Sequence, residues 1–266
     1  MEIGVSSACF YPLETEKSFL HVAELGIRHS EIFFNAPSEL EISFLRELER
    51  IKNAYNIDVV SLHPYRSFAE GYDIFSSYKR RYEDSIEKHK RYFHAAATLG
   101  AKYIVLHGAK KRIDIPMEEY AQRLGELNEI AKKFSCNVAH ENVVDFVGQT
   151  PEFMAYLKSQ LGDEFKMVLD VKQARRSGCD PIDFIKTVGS NIAHIHLSDY
   201  DTTRDCIPPG EDGFFDFKRL FTELHKIGYS GKYIIELYSN GFQQKKEIVK
   251  SAEYLDEILQ QVHQGR

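Results

Sequence analysis

Four titratable residues in the second half of the chain each follow a short apolar segment. They are Glu141 in "NVAHENV", Asp170 in "KMVLDVKQA", His196 in "NIAHIHLSDY" and Glu236 in "YIIELYS". Three carboxylates brought close together repel one another unless a cation lies between them. Three carboxylate oxygens and one imidazole nitrogen suit a divalent ion such as Mn²⁺, Zn²⁺, Co²⁺ or Mg²⁺. The residue types therefore predict one divalent metal site, provided that the fold brings these side chains together.

Three further titratable residues follow apolar segments in the first half of the chain. They are Glu31 in "SEIFF", His63 in "VVSLHPY" and His107 in "YIVLHGA". A single histidine at such a position is more often a hydrogen-bonded framework residue than a ligand, and a single carboxylate such as Asp170 could cap the following helix. The recurrence of the pattern on consecutive segments is what favours a functional site.

The apolar segments resemble buried β-strands in length and composition, and each is followed by a segment with helical periodicity. The predicted strands span residues 3–10, 30–34, 58–64, 103–108, 137–143, 166–171, 192–198 and 233–238. The clearest helical segments span residues 15–25, 38–54, 117–134, 151–161 and 217–227. Thr150 and Asp180 each precede a proline, which predicts that they are helix N-caps.

Strands that alternate with helices from end to end predict a parallel sheet. Eight such units with right-handed crossovers close naturally into a (β/α)8 TIM barrel, an α/β fold. No Pro- or Ser-rich linker interrupts the alternation, so residues 1–266 are predicted to form a single domain. An open doubly wound sheet is the alternative, but no G-x-G-x-x-G sequence follows the first strand. In a barrel, the polar residues at the ends of the strands all lie on the active-site face.

The composition narrows the classes of partner and compartment. The net charge of −6 gives no electrostatic reason to expect a nucleic acid. The four cysteines are widely spaced and form no C-x-x-C pair, which predicts reduced thiols in the cytoplasm. No signal peptide is evident and no apolar run approaches 18 residues, so no membrane association is expected.

The sequence resembles the xylose isomerase-like TIM barrels, a superfamily that includes ketose 3-epimerases, inosose dehydratase and endonuclease IV. The matching stretches are "AHEN", "VLDVKQA", "HIHLSD", "PPGEDGFFDF" and "IIELY". The resemblance implies that Glu141, Asp170, His196 and Glu236 bind one divalent metal. It also implies that Glu141 and Glu236 form the acid–base pair, as the corresponding residues do in the epimerases.

Two departures from the superfamily pattern matter. Many relatives have Asp-x-x-His on the sixth strand, whereas Gln173 stands three residues after Asp170 here and cannot act as an acid or base. Lys172 next to it is either a substrate contact or a rim residue. The loop after the seventh strand lacks the Asp-x-His pair of the three-zinc cluster of endonuclease IV, which makes an AP endonuclease the least favoured alternative.

The leading hypothesis is a metal-dependent isomerase or epimerase acting on a small sugar or polyol ketone through an enediolate. Substrate hydroxyls or a terminal anionic group are expected to contact His63, His107, Gln173 and Arg204. The alternatives are a metal-dependent dehydratase and a non-catalytic sugar-binding barrel. A homodimer is a reasonable expectation because two-fold dimers are the commonest oligomers.

Overall fold

Eight parallel strands close into a barrel in the computed structural model, which describes residues 2–65, 67–210 and 212–265. The strands are β1 (Ile3–Ser6), β2 (His29–Phe33), β3 (Asp58–His63), β4 (Tyr103–Leu106), β5 (Asn137–Glu141), β6 (Lys166–Asp170), β7 (Ile192–Leu197), β8 (Asp199–Tyr200), β9 (Asp205–Ile207) and β10 (Lys232–Ile235). The barrel order is β1, β2, β3, β4, β5, β6, β7 and β10, and β10 pairs with β1 to close it. The remaining strands, β8 and β9, form an antiparallel pair in the loop after β7. The TIM barrel prediction is confirmed.

Helices surround the barrel and follow its strands. They are α1 (Thr15–Glu24), α2 (Ile42–Ala54), α3 (Ser67–Asp73), α4 (Lys79–Leu99), α5 (Met117–Lys132), α6 (Pro151–Leu161), α7 (Val171–Arg176), α8 (Pro181–Val188), α9 (Phe217–Lys226) and α10 (Lys245–His263). The predicted caps are confirmed: the Thr150 side chain accepts from the amide of Phe153, and Asp180 accepts from the amide of Ile182.

The first strand is shorter than predicted. It ends at Ser6, and Ser7–Phe10 form a 3₁₀ turn that the Ser6 hydroxyl caps by accepting from the Ala8 amide at 3.3 Å. A local hydrogen bond to the serine hydroxyl thus competes with continued strand pairing. The turn ends the strand at the level where the other strands present their polar residues.

Inside the barrel, a small apolar layer lies beneath these polar residues. Val105, Ala139 and Val168 belong to one buried cluster with Ala193. Each of the first three lies two residues before a polar residue at the carboxyl end of its strand, on the same face and one layer deeper. The main hydrophobic core lies between the strands and the helices.

Two expectations from composition can be compared with the structure. All four cysteines are free thiols, as their spacing predicts. Among the residues that the structure describes, no helix is long and apolar enough to cross a membrane.

His140 anchors the end of β5 to α5. It is completely buried, with Nδ1 3.0 Å from the carbonyl oxygen of Glu141 and Nε2 2.6 Å from the hydroxyl of Tyr120. Burial lowers the pKa of His140 to about 4, so the ring is neutral at neutral pH. Nδ1 therefore donates to the carbonyl while Nε2 accepts from the Tyr120 hydroxyl. This pair of bonds fixes the backbone from which the Glu141 side chain extends.

Replacing Tyr120 with phenylalanine tests this anchor. The change removes the hydroxyl that donates to His140 Nε2 and accepts from the Ala109 amide. His140 Nε2 and the Ala109 amide then stay buried without these bonds. We expect the free energy of unfolding, measured in urea, to fall by about 1–3 kcal/mol, the usual cost of an unpaired buried polar group. Tyr55→Phe is the control, because Tyr55 is 47% exposed. Equal stability of the two variants would contradict the anchoring role.

Candidate metal centre

The strand register brings the four predicted metal ligands together at the carboxyl end of the barrel. Asp170 pairs directly with His196 across β6 and β7, Glu141 ends β5, and Glu236 directly follows β10. One donor atom from each of the four lies within 4.8 Å of the others. The carboxylate oxygens around His196 Nδ1 lie at 3.4 Å (Glu141 Oε1), 3.9 Å (Asp170 Oδ2) and 3.6 Å (Glu236 Oε2).

Three atoms of this group are buried without a hydrogen bond, and one of them, Glu141 Oε2, forms an ion pair with His107. Asp170 Oδ2 and His196 Nδ1 have no hydrogen-bond partner within the described ranges of the chain. Their contacts are ion pairs, from Lys172 to Asp170 Oδ2 at 3.3 Å and from His196 Nδ1 to Glu141 Oε1 at 3.4 Å. Both atoms face the same point, and a divalent cation is a partner that both can accept. The donor set of three carboxylates and one imidazole therefore fits a divalent metal.

Glu31 orients the imidazole of His196. Its Oε2 lies 3.1 Å from His196 Nε2 and also accepts from the Ser61 hydroxyl at 2.7 Å, while Oε1 accepts from Ser6 at 3.2 Å. When Nε2–H donates to this carboxylate, the lone pair of Nδ1 faces the three other carboxylates. Metal-binding histidines are commonly held in this way. The sequence placed Glu31 at a strand end but gave it no role, because its partner lies on a strand that does not adjoin β2.

The charges around His196 favour a cation. Burial would lower the pKa of His196, but the carboxylates of Glu31, Glu236 and Glu141 raise it well above the usual histidine value. Burial raises the pKa of Asp170 to about 6, against the attraction of a neighbouring ammonium. The same negative field that stabilises a positive imidazole would also stabilise a metal ion next to the imidazole of His196.

His63 and His107 converge on the opposite oxygen of Glu141. Oε2 of Glu141 lies 2.8 Å from His107 Nε2 and 3.6 Å from His63 Nε2, and the two nitrogens are 3.0 Å apart. Burial opposes protonation of His63, but the contact with Glu141 and the nearby Glu31 raise its pKa to about 9. These two histidines, predicted to contact substrate, thus also fix the orientation of Glu141.

Asp170 begins α7 as well as facing the metal position. Its Oδ1 accepts from the Gln173 amide at 2.9 Å, which makes Asp170 the N-cap of that helix. Lys172, in the first turn, brings its Nζ 3.3 Å from Asp170 Oδ2 and 3.1 Å from Glu236 Oε2. The side chain of Gln173 accepts from the Val144 amide at 3.2 Å.

Arg204 does not join the site. It lies in the loop between β8 and β9, where its side chain is 63% exposed and pairs with Asp201 at 2.6 Å. The Asp201 carboxylate also accepts from the backbone amides of Thr203 and Arg204, so the arginine turns back onto its own loop. The prediction that Arg204 contacts substrate therefore finds no support in its position.

The other polar residues around β7 have structural contacts. The four residues Glu141, Asp170, His196 and Glu236 form a ring at the end of the barrel. His194 pairs in register with Val168, one layer below this ring, and its Nε2 lies 3.2 Å from Glu31 Oε2. Asp199, which follows the strand, accepts from the amides of Tyr200 and Phe215 at 2.8 and 2.9 Å. His194 thus belongs to the framework beneath the site, and Asp199 holds the following loop.

A cavity of about 490 Å³ opens above the ring, and we call it the mouth cavity. Its described lining includes residues from β2, β3, β5 and α7 and from the segments after β1, β2, β3, β4 and β10. The polar members next to the ring are His63, His107, Glu141, Lys172, Gln173 and Glu236. Its volume lies in the usual range of small-molecule sites. Both proposed acid–base carboxylates are therefore accessible to a bound molecule.

Comparison with known proteins finds an uncharacterised relative and solved structures of the same fold. An uncharacterised protein of Mycobacterium leprae is 23% identical over 222 residues, which cover 75% of this chain and 75% of that protein. Among solved structures, a D-tagatose 3-epimerase-like protein superposes with a TM-score of 0.80 at 22% identity and covers 100% of this chain and 99% of its own. A D-psicose 3-epimerase from Clostridium cellulolyticum H10, solved with D-tagatose, has a TM-score of 0.80 at 16% identity over 97% and 99% of the two chains.

These structural similarities concern the fold, because the identities are low. The model of one family, described as "Xylose isomerase-like TIM barrel", matches residues 19–258, which is most of the chain. The chain therefore belongs to the xylose isomerase-like TIM barrel family.

Proposed function

We propose that the protein is a divalent-metal-dependent epimerase or isomerase of a small sugar or related polyhydroxy carbonyl compound. The observation that carries this proposal is the convergence of Glu141, Asp170, His196 and Glu236 within 4.8 Å beneath the mouth cavity. Two of the four, Glu141 and Glu236, also line that cavity. A binding site for an inert sugar has no need of this buried, mutually repelling set of carboxylates.

The metal would be held by the four residues just named. When bound, it would supply Lewis-acid polarisation of the substrate's carbonyl and hydroxyl oxygens, which acidifies the adjacent C–H bond. Glu31 keeps the imidazole of His196 turned so that Nδ1 faces the carboxylates. The side-chain amide of Asn142 accepts from the Asp170 backbone amide at 2.7 Å and donates to the Asp170 carbonyl oxygen at 3.0 Å, which holds the end of β6 against β5.

Proton transfer is assigned to Glu141 and Glu236. One carboxylate accepts the carbon-bound proton, and the electron pair of the C–H bond moves toward the carbonyl oxygen to give an enediolate. The other carboxylate takes up a proton from water and delivers it at the opposite face or at the neighbouring carbon, and the first carboxyl then releases its proton to water. Burial raises the pKa values of both groups, but His107 next to Glu141 and Lys172 next to Glu236 hold them below the usual range, which favours the ionised forms at the start of the reaction.

Substrate hydroxyls are assigned to His63, His107 and Gln173, which line the mouth cavity. The Gln173 carbonyl oxygen is used by the Val144 amide, so its side-chain NH₂ group is the donor that we assign to a hydroxyl. The sugar epimerases with the same fold make ketoses the first substrates to test.

Metal binding is tested with Asp170→Asn. The change removes a charged ligand, so we expect Mn²⁺ or Zn²⁺ to fall from near one ion per chain to less than a tenth of that, measured by inductively coupled plasma mass spectrometry after incubation and desalting. Asp163→Asn, in the exposed 3₁₀ turn before the same strand, is the matched control. Wild-type protein that holds no ion after incubation would contradict the proposed centre.

Catalysis is tested with Glu236→Gln and Glu141→Gln. Each amide retains the shape of the side chain but cannot take up the proton, so we expect exchange of the substrate's carbon-bound proton with D₂O to fall at least a hundredfold at equal Mn²⁺ occupancy. Proton NMR with D-tagatose, D-psicose and a cyclic polyol ketone provides the measurement. Glu87→Gln, on an exposed side chain, is the control.

The products distinguish the possible reactions. Exchange with formation of an isomer supports the proposal, whereas loss of water from the polyol ketone would make the protein a dehydratase. Binding of these sugars by the wild-type protein without exchange, and with affinity retained by Glu236→Gln, would contradict catalysis and favour the non-catalytic binder.

A further inference from the structure

Lys172 is a buried cation beside the metal ligands. Its side chain is 3% exposed, and its Nζ donates to Glu236 Oε2 at 3.1 Å and forms an ion pair with Asp170 Oδ2 at 3.3 Å. The ammonium also lies 5.0 Å from the centre of the Tyr238 ring. Lysine is almost never fully buried unless it is paired. The position of Lys172 therefore depends on these carboxylates.

The two carboxylate oxygens that contact Lys172 also face the metal position. Glu236 Oε2 and Asp170 Oδ2 lie 3.6 and 3.9 Å from His196 Nδ1 on one side and about as close to Nζ on the other. A metal ion and the ammonium would then share both oxygens. Two cations that share ligands repel each other, and each reduces the negative charge available to the other.

Lys172 also reaches the mouth cavity, which it lines together with Glu236 and Gln173. A lysine ammonium has three N–H donors. Glu236 and Asp170 each contact the ammonium, which leaves a third N–H for a further acceptor. A substrate oxygen in the cavity next to the metal would lie within reach of this ammonium.

We propose that Lys172 is the second cation of the centre, which shares Asp170 and Glu236 with the metal and donates a hydrogen bond to a substrate oxygen. This inference rests on the proposed function. During proton removal beside a carbonyl, negative charge develops on the substrate oxygens, and a fixed ammonium stabilises that charge. The ligands that Lys172 recognises are accordingly small α-hydroxy carbonyl compounds and anions that mimic their enediolates.

The first arm of the test measures Mn²⁺ affinity by isothermal titration calorimetry. Lys172→Met removes the charge at similar length, so we expect Mn²⁺ to bind at least tenfold more tightly than to the wild type. Lys172→Arg keeps the charge and is expected to change the affinity less than threefold. Lys232→Met is the matched control, because Lys232 also pairs with a glutamate but lies at the other end of the strand that leads to Glu236.

The second arm measures binding of glycolohydroxamate to the Mn²⁺-loaded proteins. This planar anion resembles an enediolate in the placement of its oxygens. We expect its affinity to fall at least tenfold in Lys172→Met and to stay within threefold of the wild type in Lys232→Met. Lys172→Gln, a neutral but polar variant, takes the place of Lys172→Met in both arms if circular dichroism shows that the methionine variant does not fold.

The outcomes separate the two proposals. A wild type that binds no Mn²⁺ overturns the proposed function and, with it, the role of Lys172. If the wild type binds Mn²⁺ and the folded neutral variant binds it equally or more weakly, the sharing of ligands is overturned but the proposed function is not. Lys172 is then a structural ion-pair partner of Asp170 and Glu236. Tighter Mn²⁺ binding with unchanged glycolohydroxamate affinity overturns the substrate contact.

Discussion

Repulsion among buried carboxylates is the constraint on which the rest of the site depends. Glu31, Glu141, Asp170 and Glu236 enter the barrel from four strands and are largely removed from water. Two like charges 4 Å apart repel by about 4 kcal/mol at an effective dielectric constant of 20. The barrel therefore needs positive groups at fixed points between the carboxylates. The imidazole of His196 occupies the centre, with one carboxylate on its Nε2 side and three on its Nδ1 side.

The backbone determines this arrangement before any ligand binds. Alternation along β7 turns His194 and His196 to the same face, and the register with β6 sets His196 opposite Asp170 and His194 opposite Val168. The serines at positions 6 and 61, which pair in register with Glu31, donate to both of its oxygens. A carboxylate held by hydroxyl donors keeps its charge and its direction, so the imidazole it contacts has one favoured orientation.

The fold and the four-residue ring could be predicted because they depend on local patterns. Apolar segments ending in polar residues give the strands, and the parallel barrel brings their carboxyl ends together. The contact of Glu31 with His196 could not be predicted in this way, because it crosses the barrel interior between strands that are not neighbours. The orientation of Arg204 likewise depends on Asp201 and on the turn of a long loop, for which periodicity gives no signal.

At the start of α7, Asp170 serves as a helix cap and as a candidate metal ligand, two roles that the sequence alone presents as alternatives. Asp170 uses Oδ1 to cap the helix and leaves Oδ2 toward the ring, so capping and ligation do not compete. The cap starts the helix at Val171, and this early start turns Lys172 toward Asp170 and Glu236. Three residues after Asp170, the neutral side chain of Gln173 accepts from the Val144 amide in the loop after β5. The positive charge next to Asp170 and Glu236 is therefore supplied by Lys172, and a lysine ammonium balances these carboxylates over a wider pH range than an imidazole would.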